Sequence, residues 1–323
     1  MAGWKDTYER LSALDRVSAL EPAKLLELAQ TAYLIGKDSE SVAVLIRAQQ
    51  GFAQHGDLRR AGGVAAWIAS IMMNAGDAAQ AAGWMARAAR LLDESGVPGP
   101  ERGYVLVTAA RQSLSGGRVA EAASKFAEAA ALGERFGDRD LTSLGRQGQG
   151  RALIELGEVE RGVGLLDEVM VAVTAGELSP IIAGIVYCSV ISACSDLFDL
   201  SRAREWTQAL ARWCDTHPEM VPYRGECLVH RAEIICLQGI WPDALNEALL
   251  ACERLSEPPG QPAFGAALYQ VAELHRLRGE FDKADAAFRK AAESGRSPYP
   301  GLALLRLAQG RRDDAVAARQ ARE

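Results

Sequence analysis

Cys227 and His230 stand three residues apart, and Cys236 lies nine beyond Cys227. On a helix the first two share a face, and three soft ligands on one helix could seed a zinc site. The chain contains no CxxC or HExxH pattern, and cysteine is commonly buried in helical cores. Structural thiols are therefore the leading reading, with metal a weak alternative. Nucleophilic catalysis needs a cysteine or serine beside a base. Of the four histidines, His55 and His217 fall in connecting segments and read as solvated rings. His275 occupies a position held elsewhere by Ala32, Met72 and Ser113, which reads as packing; His230 faces another side. No GxxxxGK[ST] phosphate loop exists, and the run Gly145 to Gly150 has the wrong spacing for a dinucleotide fingerprint. Trp206, Trp213, Tyr223 and Trp241 crowd one stretch with Arg224, His230, Arg231 and Glu233. Arginine among aromatics is the composition of a binding hot spot, and equally of an irregular helical junction. Binding is better supported than catalysis, and no cofactor is implied.

The elements that must position these residues are set by a repeat. A turn residue is followed by a small residue, then a bulky one, then a small one, as in Gly36, Ser41, Leu45 and Ala48. The pattern recurs from Gly76, Gly117, Gly157, Phe198, Gly239 and Gly279, with turn spacings of 40, 41, 40, 41, 41 and 40 residues. A shorter step leads to Gly310. Seven residues before each full turn stands another small position: Ala29, Ala69, Ala110, Gly150, Ile191, Ala232 and Ala272, with Ile191 the exception. One small residue on each side of a turn lets two antiparallel helices approach closely, and the bulky neighbours fill the grooves.

Such helix pairs, stacked along an axis, form the tetratricopeptide arrangement, here with units longer than the common 34 residues. The expectation is an all-α, tetratricopeptide-like helix-pair solenoid, a right-handed superhelix of about seven to eight repeats of 40–41 residues. Residues 1–24 read as an N-terminal capping helix, with Trp4, Tyr8 and Leu11 on one face, and residues 25–323 as one continuous solenoid. First helices line the inner groove of such a stack. The residues directly after the small positions should point into it, including Ser70, Arg111, Arg151, Ser192, Glu233 and Glu273. Asn74, Glu155 and Asp196 join them a turn further on. Arginines in two neighbouring units followed by acids in later ones make a charge gradient suited to a peptide or a zwitterion. Arg111, Arg151, Asp196, Arg224, His230 and Glu233 are the expected groove contacts.

Composition narrows the partners. The net charge is -6 and 36 basic residues face 42 acidic ones, so the global field opposes DNA, RNA and anionic lipid. The N-terminus carries no apolar signal core, and the uncharged run from Leu178 to Ser195 is in register with the repeat, which makes it a buried helix rather than a span. Six cysteines then read as reduced thiols in a cytoplasmic chain. No polar capping helix follows the last unit, so continuation of the chain or a homodimer is expected there.

The runs Arg212 to Asp215, Val221 to Gly225 and Cys227 to Ile234 resemble the sensor half of bacterial LuxR-type transcriptional regulators. So do Ala175 to Pro180, Ala272 to Phe281 and the closing Pro300 to Gly310. The resemblance covers most of the chain and is specific in its second half. It implies a tetratricopeptide region that senses an effector or partner, placed before a DNA-binding helix-turn-helix. With 13 residues after Gly310, this chain has no room for that output domain, and direct nucleic-acid binding is not expected of it. The rival readings are a free-standing protein–protein interaction scaffold and, less favoured, a metal-dependent enzyme using Cys227, His230 and Cys236.

Overall fold

The computed structural model describes residues 3–220, 226–256 and 263–320, and all regular structure in them is helical. The chain divides into two compact units, residues 1–190 and 191–323. The first begins with α1 (Trp4–Val17), followed by the pairs α2 (Pro22–Leu34) with α3 (Asp38–Gln54) and α4 (Leu58–Asn74) with α5 (Ala78–Ser95). Next come α6 (Glu101–Ser115) with α7 (Val119–Phe136) and α8 (Arg139–Glu155) with α9 (Val159–Thr174). The first unit closes within α10 (Pro180–Asp196). The second holds the end of α10, then α11 (Leu200–Asp215), α12 (Glu226–Leu237) and α13 (Trp241–Leu255). It ends with α14 (Phe264–Leu277), α15 (Phe281–Glu293), α16 (Gly301–Ala308) and α17 (Arg312–Gln320). Within each unit the main helix contacts join elements one or two apart, as in α4 with α5 and α4 with α6. That is the pattern of a helix-pair solenoid.

The turns explain why the repeat is spaced as it is. Gly36, Gly76, Gly117, Gly157, Gly239, Gly279 and Gly310 all have positive φ, between 73° and 86°. A residue with a Cβ resists that left-handed conformation, and glycine does not. Phe198 holds the same turn position at φ 57° and is the sole non-glycine with positive φ among the described residues. A second series, Gly56, Gly96, Gly137 and Gly176, also has positive φ. It ends the second helix of each pair and passes unnoticed in the sequence pattern.

The small residues sit where the helices touch. Ala29, Ala69, Ala110, Ala232 and Ala272 are completely buried, as are Ser41, Ala122, Ala203, Ala244 and Ala284 across the turn. In the first pair Ser41 Oγ donates to the Ala29 carbonyl at 2.8 Å, so the two backbones are one hydroxyl apart. In α8 and α9 the contact is closer still. A Cβ on Gly150 would lie 2.8 Å from the Gly162 carbonyl oxygen, and one on Gly162 would lie 2.5 Å from the Gly150 oxygen. Bulky partners fill the space beside these contacts: Leu45, Phe126, Leu166 and Phe288 are all buried. At the N-terminus, α1 lays Tyr8 and Leu11 into the cluster that holds Leu25, Leu28, Leu45 and Phe52. No described helix is long and apolar enough to cross a membrane.

Candidate ligand groove in the first unit

First helices supply one wall after another of a cavity of about 540 Å³ that lies wholly within the first unit. From α2 come Leu26, Gln30 and Tyr33; from α4 come Val64, Trp67, Ser70, Ile71 and Asn74. Helix α6 adds Glu101, Tyr104, Val107 and Arg111. Leu144, Gln147 and Arg151 of α8 and Ile182, Ile185 and Ser189 of α10 complete it. Gln30, Ser70, Arg111 and Arg151 each directly follow a small contact residue, so helical geometry turns them all to the same side. The walls are mainly apolar: Trp67 meets Tyr33 edge-on with ring centres 6.5 Å apart, and Val64 and Val107 are buried.

Arg111 is the charged centre of this groove. Its Nη1 donates to Ser70 Oγ at 3.2 Å and its Nη2 to Asn74 Oδ1 at 2.6 Å, across to the preceding unit of the stack. Both acceptors are neutral. Burial alone pulls its pKa below the ordinary arginine value, because desolvation penalises the cation. An arginine stays protonated regardless, so Arg111 keeps its charge while half-buried. Arg151 joins the same cavity, with Nη1 donating to the Ser189 carbonyl at 3.1 Å. Gln147 Nε2 donates to Ser189 Oγ at 2.5 Å, which ties α8 to α10.

The opposite end is differently equipped. Glu101 takes a 2.6 Å hydrogen bond from Arg59, and Arg60 is paired with Asp57. Tyr104 donates to both Asp138 oxygens at 3.1 Å. Burial, followed by the charges of Asp138 and Asp140, pushes the Tyr104 phenol upward, so it remains a donor. Ten residues separate Glu101 from Arg111, about 15 Å along α6.

The remaining sequence-derived candidates belong to the second unit. Asp196 is exposed at the end of α10. His230 and Glu233 are neighbours on α12, with Nδ1 and Oε2 3.4 Å apart. Arg224 lies outside the described residues, as does the side chain of Cys227. Among the described residues, no three His, Cys, Asp or Glu side chains are grouped to hold a metal. Burial raises the pKa of Cys236, and that of Cys252 is pushed up to about 11, which keeps both as thiols. Two histidines differ from expectation. His217 is not simply solvated, since its ring sits 4.9 Å from that of Trp213 and its Nδ1 lies 2.8 Å from the Trp213 carbonyl. His275 is a polar partner rather than filler, with Nδ1 2.9 Å from Glu280 Oε2.

Sequence reasoning placed Ser70, Asn74, Arg111 and Arg151 on the inner face but passed over Tyr33, Trp67, Tyr104 and Gln147. The signal was available: Tyr104 and Leu144 stand thirteen residues before their turn glycines, and Gln147 and Val107 ten before. An aromatic on a helix face reads as core until its register against the turn is counted.

Fold and groove together define a tetratricopeptide-like helix-pair solenoid with a partly enclosed, cation-bearing site on its first helices. A solved structure agrees on the fold. A tetratricopeptide repeat protein from Parabacteroides merdae matches with TM-score 0.50 and 14% identity, over 94% of this chain and 99% of that one. A signal-transduction ATPase with numerous domains from Pyrococcus horikoshii, which has a tetratricopeptide repeat sensor, matches with TM-score 0.49 and 14% identity. That match covers 92% of this chain, which spans only 44% of the ATPase. No family model matches the chain, and no curated protein matches its sequence.

Proposed function

We propose that this chain is a non-catalytic sensor or interaction module whose ligand site is the groove on the first helices of its first unit. The observation that carries this reading is Arg111, a half-buried cation in a mainly apolar cavity whose two hydrogen-bond acceptors are both neutral. Cavities with apolar walls and a few convergent polar groups are the usual form of small-molecule sites. The finer reading, the sensor part of a LuxR-type regulator, rests on the sequence runs that resemble that family. It places the chain in the cytoplasm, with a small effector or a protein segment in the groove. In the free-standing scaffold reading the same groove holds a peptide.

The test is a thermal-shift screen of a metabolite collection against the full chain and its Arg151→Glu variant. Acids, amines, sugars and neutral amphiphiles should all be represented. Compounds that raise the Tm of the parent and not of the variant support the groove. Equal shifts in both, or none in either, count against it. For the regulator reading, the gene is sequenced past the codon for Glu323. An in-frame basic helix-turn-helix supports a sensor joined to its own output, and a stop codon there removes that version.

A further inference from the structure

We infer that the first-unit cavity takes a small amphipathic monocarboxylate, with the carboxylate held at Arg111 beside Arg151 and the apolar body against Trp67 and Ile182. The inference rests on the groove reading above and narrows it to a ligand class.

The argument starts from how this chain treats its other partly buried arginines. Arg276 pairs with Glu273 at 2.7 Å, Arg231 with Glu247 at 2.6 Å and Arg59 with Glu101 at 2.6 Å. Arg146 bridges Glu134 and Glu168, and Arg306 pairs with Asp285. Arg111 is treated differently, with Ser70 and Asn74 as its acceptors and no carboxylate paired with it among the described residues. Two of its five N–H donors are used in those bonds. A half-buried cation without a counter-charge carries part of the desolvation cost, and that cost falls when an anion arrives. Arg151 lines the same cavity, with Nη1 donating to the Ser189 carbonyl at 3.1 Å.

Charge also fixes the polarity of the ligand. The charged lining residues are Arg60, Glu101, Arg111 and Arg151. Arg60 is already engaged by Asp57, so the uncompensated positive end is that of Arg111. Glu101 at the far end disfavours a second carboxylate, which argues against dicarboxylates. Arg59 engages Glu101 Oε1 only; Oε2 is buried with no hydrogen-bond partner, so that end favours a hydrogen-bond donor on the ligand's tail and not a second acid. Between the ends, Trp67, Ile71, Val107 and Ile182 offer only apolar contact. A bare inorganic anion would leave that surface wet, and a neutral lipid would leave the cation uncompensated.

The experiment is isothermal titration of the full chain with decanoate, decanamide, acetate and inorganic phosphate. The expected result is saturable one-to-one binding of decanoate, with decanamide weaker by about tenfold or more, as for a lost hydrogen bond to a charged group. Acetate and phosphate should give no saturable heat at the same concentrations. In Arg111→Gln the acid should lose its advantage over the amide, while Tm stays level or rises because a half-buried charge without a carboxylate partner is gone. Arg111→Lys should recover part of the preference. A purely structural arginine would instead lower Tm on substitution and leave the acid preference intact. Equal affinity of acid and amide in the parent overturns the inference, as does phosphate binding as tightly as decanoate. So does an apolar peptide with a free C-terminus that displaces decanoate at higher affinity, which reassigns the cavity to a peptide. If decanoate fails while other compounds still depend on Arg151, the ligand class is wrong and the groove stands. If nothing depends on Arg151, both readings fall.

Discussion

At the scale of single residues, position in the repeat decides how a polar side chain is used. Gln49 is buried and Arg111 half-buried, and of the two Arg111 opens on a cavity. Gln49 on α3 is fully buried, and neither its amide nitrogen nor its amide oxygen has a partner. Each orphaned group bears a desolvation penalty with no return. Gln49→Met keeps the unbranched shape and the helix propensity while removing both polar atoms. The variant should gain about 1–3 kcal/mol in stability, seen as a higher denaturant midpoint at constant slope. A lower midpoint would show that the amide is satisfied after all. The groove residues were legible to the extent that they share one register: Ser70, Arg111 and Arg151 follow their small neighbours directly, and polarity at an inward position is conspicuous. Trp67 and Tyr33 were passed over because an aromatic on a helix face reads as core: they stand nine and three residues before their turn glycines, and neither has the thirteen- or ten-residue offset of Tyr104 and Gln147. Arg224 and the Cys227 side chain lie outside the described residues, so the aromatic-rich stretch keeps its two readings.

Elements show the same residue type doing opposite work. Gly150 on α8 and Gly164 on α9 are both helical glycines, and both would gain helix propensity on becoming alanine, about 1 kcal/mol. A Cβ on Gly164 meets nothing within 4 Å, whereas one on Gly150 lies 2.8 Å from the Gly162 backbone oxygen. Backbone cannot swing aside as a side-chain tip can, so overpacking outweighs propensity at Gly150. Gly164→Ala should therefore stabilise by about 0.5–1 kcal/mol and Gly150→Ala destabilise by about 1–3 kcal/mol. Paired urea melts of the two variants check this; a shift of the same sign in both would remove close approach as the reason for the small residue. This contact was legible because a small residue at a fixed distance from a turn has few other uses. The second turn series, Gly56, Gly96, Gly137 and Gly176, was not: it has no bulky-small signature after it, only the φ it permits. Phe198 was read at a turn without glycine, and its positive φ shows that spacing, more than residue type, carried the pattern.

For the whole molecule the consequence of stacking is that stability is local. Helix contacts within each unit run mainly to the next element or the one after, as in α6 with α7 and α6 with α8. In such a chain, stability is close to a sum of repeat terms and nearest-neighbour interfaces. A perturbation at one interface should then fade over a repeat or two instead of lowering the entire fold. Gly150→Ala serves as the local perturbation, since it strains the α8–α9 contact and leaves every side chain of residues 191–323 unchanged. Native-state hydrogen exchange read by mass spectrometry resolves the answer by segment. Peptides from α7, α8 and α9 should lose protection by about 5–30-fold, the factor that one or two kcal/mol corresponds to. Peptides from α14 and α15 should keep their parent rates. Decanoate, if it sits at Arg111, should raise protection of α6 and α8 in the parent and leave α14 and α15 unmoved, because a ligand stabilises the segments it holds together. A uniform loss across both units would mean that the chain opens as one cooperative body, and the nearest-neighbour description of this solenoid would have to be abandoned.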